Sequence, residues 1–211
     1  MQKKALWYFD FVSPFCYLQL KQIERLRVVL PITPVPILLG AVLSHHGNIG
    51  PAEIPGKRLH TYRMVQWQAK RSGIELRFPP AHPFNPISAL RLSIVLENRW
   101  EAIRAIFDHL WRDGKAVDSA STLADVAAGF GCADIATAID AASVKTALRA
   151  NTEAAIAAGV FGVPTVAIGD TLFWGNDATA MLEDFLVNPQ LFDSEEMRRI
   201  ETLPVGIERK R

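Results

Sequence analysis

Residues 9–18 read FDFVSPFCYL, and the join inside this stretch, at Ser13-Pro14, decides the fold. Upstream, from Lys4 to Val12, aromatic and aliphatic residues alternate, which predicts a β-strand. Downstream, from Phe15 to Val29, Leu18, Ile23, Leu26 and Val29 fall near helical spacing. Pro14 suits the first position of a helix, and Ser13 suits the position before it. Ser13-Pro14-Phe15-Cys16 also has the spacing of a redox Cys-x-x-Cys motif, with a hydroxyl where the first thiol would stand.

The pattern extends on both sides of a long helical middle. Ile32 to Ile37 is an extended segment whose two prolines, Pro34 and Pro36, exclude a fully paired central strand. The opening is therefore strand–helix–strand. Turns follow at Gly47–Pro51 and Ile54–Gly56, then a helix from Lys57 to Ser72 that stops at Gly73. Phe78–Pro86 is a rigid proline loop. Helical patterns cover 87–96, 100–113, 122–130, 134–142 and 144–158, with Asp134 as a cap. The chain then returns to strands at 164–168 and 171–173, joined by a turn at Gly169-Asp170, and ends on a helix at 178–187. This order predicts an α/β domain with a mixed four-stranded sheet, formed by residues 1–38 and 159–211, and a large all-helical insertion spanning 39–158.

Composition narrows the function. Hydrophobic residues make up 49% of the 211, enough for a sizeable core, and a net charge of +1 gives no pull toward nucleic acid or an anionic membrane. No apolar run approaches the ~20 residues of a membrane span. The short apolar run near the N-terminus contains Asp10, so it reads as a strand and not as a secretion signal. A soluble, intracellular protein is expected, with Glu208–Arg211 as a solvated tail. Cys16 and Cys132 are too few for a disulfide scaffold. No metal-ligand spacing, phosphate loop or dinucleotide fingerprint is present.

Three segments can carry chemistry. Ser13 opens a helix, where free N–H groups and the helix dipole favour an anion. Its hydroxyl has no base at a triad spacing, so it either caps the helix or donates to an anion such as a thiolate brought by a small molecule. In Gly159–Thr165, Val163-Pro164 is a rigid turn or a cis peptide whose exposed backbone could pair with an extended ligand. In Phe173–Asp177, Asn176 or Asp177 caps the last helix or binds the charged end of a ligand.

FDFVSPFCYL, FGVPT (161–165) and FWGND (173–177), with GNIGP (47–51) and HPFNP (82–86) between them, resemble the 2-hydroxychromene-2-carboxylate isomerases. These are grouped with kappa-class glutathione transferases and DsbA-like oxidoreductases. The resemblance spans essentially the whole chain and implies a thioredoxin-like fold with a helical insertion, glutathione as cofactor, a small aromatic substrate, a cytoplasmic location and a homodimer. It implies that Ser13 is catalytic and holds the glutathione sulfur. Val163 and Pro164 would bind the cysteinyl part; Trp174, Gly175, Asn176 and Asp177 would grip the γ-glutamyl end; Lys57, Asn48 and His82 would meet a carboxylate of substrate or glutathione. Ala178 stands where relatives often carry arginine, and Cys16 where they often carry serine. Transferase chemistry, thiol–disulfide exchange and glutathione binding without catalysis are the alternatives. Exchange is disfavoured because serine forms no mixed disulfide.

Overall fold

The computed structural model describes residues 4–207. The tail Glu208–Arg211 lies outside them. Four strands form one sheet: β1 (Ala5–Phe9), β2 (Ile32–Pro36), β3 (Thr165–Ile168) and β4 (Thr171–Trp174), in the order β2-β1-β3-β4. β1 pairs parallel with β2, so a crossover must join them. Helix α1 (Pro14–Leu26) makes that crossover. β1 pairs antiparallel with β3, and β3 with β4. The two prolines of β2 are tolerated because β2 is an edge strand with only β1 beside it. The β3–β4 hairpin turns through Gly169, whose φ of +57° is costly for residues with a Cβ.

Between β2 and β3 the chain builds seven helices in the described residues: α2 (Leu39–His45), α3 (Pro55–Arg71), α4 (Ile87–Val95), α5 (Trp100–Phe107), α6 (Ala124–Gly129), α7 (Ile135–Asp140) and α8 (Ala142–Ala157). A π-turn at Asp108–Arg112 continues α5. After β4 come α9 (Thr179–Val187) and α10 (Glu195–Glu201). This is a thioredoxin-like α/β fold carrying a helical insertion.

Sheet and insertion share one core. Trp7, Phe9 and Phe11 form a row of rings, with Trp7 stacked on Phe9 at 4.7 Å and Phe9 edge-on to Phe11 at 5.3 Å. Phe107 at the end of α5 closes on that row, 4.6 Å from Phe11. Trp100 at the start of α5 stacks on Trp7 at 5.7 Å. These aromatic contacts add to area burial and fix the insertion's orientation against β1. α8 is tied to β2 by Asn151 Nδ2 donating to the Pro36 carbonyl.

Two helices differ from the sequence expectation. α2 was not anticipated because only Val42 in it is buried. α10 has no buried residue, so it shows no apolar face; its Ser194 N-cap, which accepts the Met197 N–H, was the readable signal. Asp134 caps α7 through the Thr137 N–H, as expected.

Candidate active site

β1 ends at Phe9, and the turn Asp10–Ser13 delivers Ser13 to the start of α1. Ser13 has an extended backbone (φ −90°, ψ 113°) and occupies the N-cap position, yet its side chain makes no capping hydrogen bond. No acidic residue in the first turn of α1 offsets the helix dipole. The residue is 6% exposed. The hydroxyl thus caps no backbone N–H of α1 and instead meets the Cys16 thiol below it.

Opposite it, the Val163–Pro164 peptide is cis. Thr165 holds this turn by donating its hydroxyl to the Gly162 carbonyl at 2.8 Å, and the Pro164 carbonyl accepts the Gly175 N–H at 2.8 Å. Among the described residues, neither the N–H nor the C=O of Val163 has a hydrogen-bond partner. Buried backbone groups are rarely left unpaired. Water or an extended peptide-like ligand could pair with both.

Ser13, Val163, His82 and Trp174 line one pocket of about 390 Å³. Its other walls are mainly apolar, from Phe15, Leu39, Leu43, Phe84 and Phe161. Trp174 is 54% exposed and its ring meets Phe161 edge-on at 5.1 Å. It also lies over Gly162, where a Cβ would come within 2.5 Å of Trp174 Nε1. Asn176 and Asp177 line a second, polar depression with Gln22, Arg25, Gln68 and Arg71. Asn176 Nδ2 donates to Gln68 Oε1 at 3.2 Å. Neither Asn176 nor Asp177 caps α9; the N-cap position belongs to Ala178, without a side-chain bond. Pro164 and Gly175 shape the backbone between the two depressions.

The structure does not bring every expected residue together. Lys57 is exposed in the first turn of α3, and Asn48 is exposed with its N–H bonded to the Leu43 carbonyl; neither lines the pocket. His82 does line it, but both ring nitrogens are engaged within the protein. Nε2 lies 2.8 Å from the Val12 carbonyl and Nδ1 2.8 Å from the Tyr62 hydroxyl. Burial holds the His82 pKa below its ordinary value, with Arg58 adding to the effect. A neutral imidazole with both nitrogens occupied is a poor carboxylate receptor.

Three residues that the sequence did not single out prove central. Asp10 is fully buried: Oδ1 accepts the Val12 N–H at 3.0 Å and Oδ2 the Leu39 N–H at 2.9 Å. Burial pushes its pKa up to about 7, against those two bonds. Gln19, on the buried face of α1, accepts from Trp7 Nε1 and donates to the Gly175 carbonyl and the Thr179 hydroxyl. It therefore anchors the 174–177 segment to the first helix. Trp111 Nε1 donates to the Phe11 carbonyl at 2.9 Å. A charged or amide residue inside an apolar run was the available signal for Asp10 and Gln19.

Cys16 is buried and free, and Cys132 is half-buried and free. Burial drives the Cys16 thiol far above its ordinary range, although the Asp10 backbone and the Ser13 hydroxyl pull the other way. Such a thiol is a poor nucleophile near neutral pH. No three His, Cys, Asp or Glu side chains come together as a metal site among the described residues. No helix among them is long and apolar enough to cross a membrane.

Residues 6–187 match the model of the DsbA-like thioredoxin domain. The chain belongs to the DsbA-like thioredoxin family. It is 32% identical over 191 residues to a 2-hydroxychromene-2-carboxylate isomerase from Pseudomonas putida, covering 84% of this chain and 91% of that protein. It is 28% identical over 214 residues to glutathione S-transferase kappa 2 from Caenorhabditis elegans, covering 89% and 93%. The solved structure of a 2-hydroxychromene-2-carboxylate isomerase superposes with a TM-score of 0.77 at 26% identity, covering 95% of this chain and 99% of that one. The DsbA of Pseudomonas aeruginosa, at 16% identity and a TM-score of 0.55, shares the fold; 96% of this chain and 87% of that one are covered. Within the DsbA-like family, the chain therefore groups with isomerases and kappa-class transferases.

Proposed function

We propose that the protein is a glutathione-dependent isomerase of conjugated aromatic acids of the 2-hydroxychromene-2-carboxylate type. The observation that carries this reading is the pairing of a Ser13 hydroxyl that does not cap α1 with an unpaired Val163 backbone, both on one mainly apolar pocket. These groups fit glutathione: a hydroxyl for its sulfur, a strand-like edge for its cysteinyl peptide, and the polar depression at Asn176 and Asp177 for its amino-acid end. When bound, glutathione supplies a thiolate that adds reversibly to a conjugated double bond, permits rotation about it, and leaves unchanged.

Ser13 donates its Oγ–H toward the sulfur position at the start of α1, where the helix dipole also favours negative charge. Both effects lower a thiol pKa there. Val163 fixes the ligand's register through its N–H and C=O. Phe15, Phe84 and Phe161 hold an aromatic ring and exclude water, so the Ser13 hydrogen bond acts in a low-dielectric setting. Glutathione and two free thiols suit a reducing compartment, so the reading includes a cytoplasmic location, and it includes the homodimer implied by family resemblance.

A kappa-class transferase would use the same groups and release a conjugate; the similarity to kappa 2 favours it as the second reading. Incubation with glutathione and 2-hydroxychromene-2-carboxylate, followed by absorbance and thiol titration, separates the two. Isomer formed at constant glutathione supports the isomerase, and glutathione lost in step with a conjugate supports the transferase. If neither occurs, the proposal fails.

A further inference from the structure

Two peptide units lead into Ser13, and each of their polar groups is engaged. The Phe11 carbonyl accepts Trp111 Nε1–H at 2.9 Å, and the Val12 N–H donates to Asp10 Oδ1 at 3.0 Å. The Val12 carbonyl lies 2.8 Å from His82 Nε2, and the Ser13 N–H donates to the Asp10 carbonyl at 3.1 Å. Two of these four bonds come from the turn itself. The other two come from Trp111 and His82, both from the helical stretch between β2 and β3.

The tautomer of His82 follows from its partners. A carbonyl only accepts, so Nε2 carries a proton and donates it to Val12. Nδ1 is then an acceptor for the single Tyr62 O–H, on α3 at 2.8 Å, a proton shared with the His82 carbonyl, which also lies 2.8 Å from that hydroxyl oxygen. Tyr62 thereby fixes both the ring plane and the backbone of His82. The ring is packed edge-on against Tyr62, Phe84 and Trp111, and it forms part of the pocket wall. A molecule in the pocket rests against the same imidazole that holds the peptide bearing Ser13.

We propose that His82, oriented by Tyr62, is a positioning residue for Ser13: its Nε2–H grips the Val12 carbonyl and so fixes where the Ser13 hydroxyl points. The proposal rests on the reading that Ser13 holds a sulfur. It assigns the helical insertion a role in activating the ligand bound by the sheet. Outer groups that orient a functional side chain typically matter ~10–100-fold, and a displacement of about 1 Å can cost ~100-fold.

The test compares wild type with His82→Phe, His82→Gln and Tyr62→Phe. Phenylalanine keeps the ring and removes the donor; glutamine returns an N–H at similar reach. In ligand-free protein, amide hydrogen exchange at Val12 and Ser13 should accelerate at least ~10-fold in His82→Phe while β1 and β3 keep wild-type protection. With glutathione, thiolate absorbance should titrate about one pH unit higher, kcat should fall ~10–100-fold, and KM for glutathione should stay within about threefold. His82→Gln should recover most of each effect, and Tyr62→Phe should show a smaller change in the same direction. Wild-type exchange and kcat in His82→Phe would overturn the proposal. Acceleration spread evenly over the sheet, with no rescue by glutamine, would overturn it too, because that marks a purely structural residue. If His82→Phe fails to fold, Tyr62→Phe decides by the same criteria. A wild-type protein that shifts no thiol titration refutes the Ser13 reading instead, and the exchange data still decide the clamp.

Discussion

Asp10 makes the pH dependence of stability calculable. It is fully buried, its carboxylate accepts two backbone N–H groups, and no cation pairs with it among the described residues. Burial raises its pKa from 3.8 to about 7. Between those two values the unfolded chain has released the proton and the native protein still binds it. Stability therefore falls as pH rises through this window and is fully present only below about pH 4. A shift of about 3 units corresponds to roughly 4 kcal/mol across the window. Asp10→Asn removes the titration. It also turns an amide N–H₂ toward either the Val12 or the Leu39 N–H, leaving one buried donor unpaired at a cost of about 1–3 kcal/mol at every pH. The two stability curves should cross: the variant is weaker near pH 4 and the stronger of the two near pH 8. Urea unfolding, followed by fluorescence of the five tryptophans, measures both curves, and their difference cancels the other carboxylates. A difference that stays flat from pH 4 to 8 would show that the two N–H bonds keep Asp10 ionised at an ordinary pKa, and the reasoning from burial would be refuted.

Ser13→Ala should lower glutathione-dependent kcat/KM about a hundredfold, in line with loss of a single donor to developing charge; a variant at full rate in the isomerisation assay would remove Ser13 from the mechanism. In native protein an aromatic disulfide reagent at pH 8 should titrate Cys132 and reach Cys16 only after urea is added. Cys16→Ala should keep the glutathione-dependent rate within about twofold, since a buried thiol of raised pKa takes no part; loss of activity would revive the redox alternative. Gly175 has a φ of +96°, and a Cβ there would collide with Asp177 Oδ1. Gly175→Ala should cost about 1–3 kcal/mol of stability in thermal unfolding. It should also weaken glutathione binding in calorimetry, because Asp177 must move.

Much of the frame was legible because each signal was local. The alternation in β1, the paired prolines of β2 and the glycine turn of the β3–β4 hairpin each name one element without knowledge of the others. What was not legible depends on contacts between distant residues. α2 buries one residue, and its first free N–H is satisfied by Asp10, 29 positions earlier. Asp10 itself was readable only as an odd charge in an apolar run. His82 looked like a substrate contact because it stands in a distinctive proline loop; the structure spends its nitrogens on Val12 and Tyr62. Lys57 was expected to open a helix; α3 begins two residues earlier at Pro55, and Lys57, in its first turn, does not line the pocket.

The serine at position 13 and the burial of Cys16 have to be understood together. A Cys-x-x-Cys pair works because its first thiol is exposed, ionised by the helix start, and able to pass electrons to the second. Here the first position holds a hydroxyl that cannot be oxidised to a disulfide, and it is itself largely buried. The remaining thiol is sealed beneath it, close to a buried carboxyl that further opposes its ionisation. Both halves of the redox couple are thus disabled by separate physical means. The helix dipole, the unpaired Val163 backbone and the apolar walls remain, and none of these depends on a resident thiol. Under the proposed function, such a site takes its sulfur from a ligand that arrives with its own peptide and leaves again. Exogenous thiol is then the decisive variable: activity should follow glutathione concentration, and protein stripped of it should be inactive toward the conjugated acid while remaining fully folded.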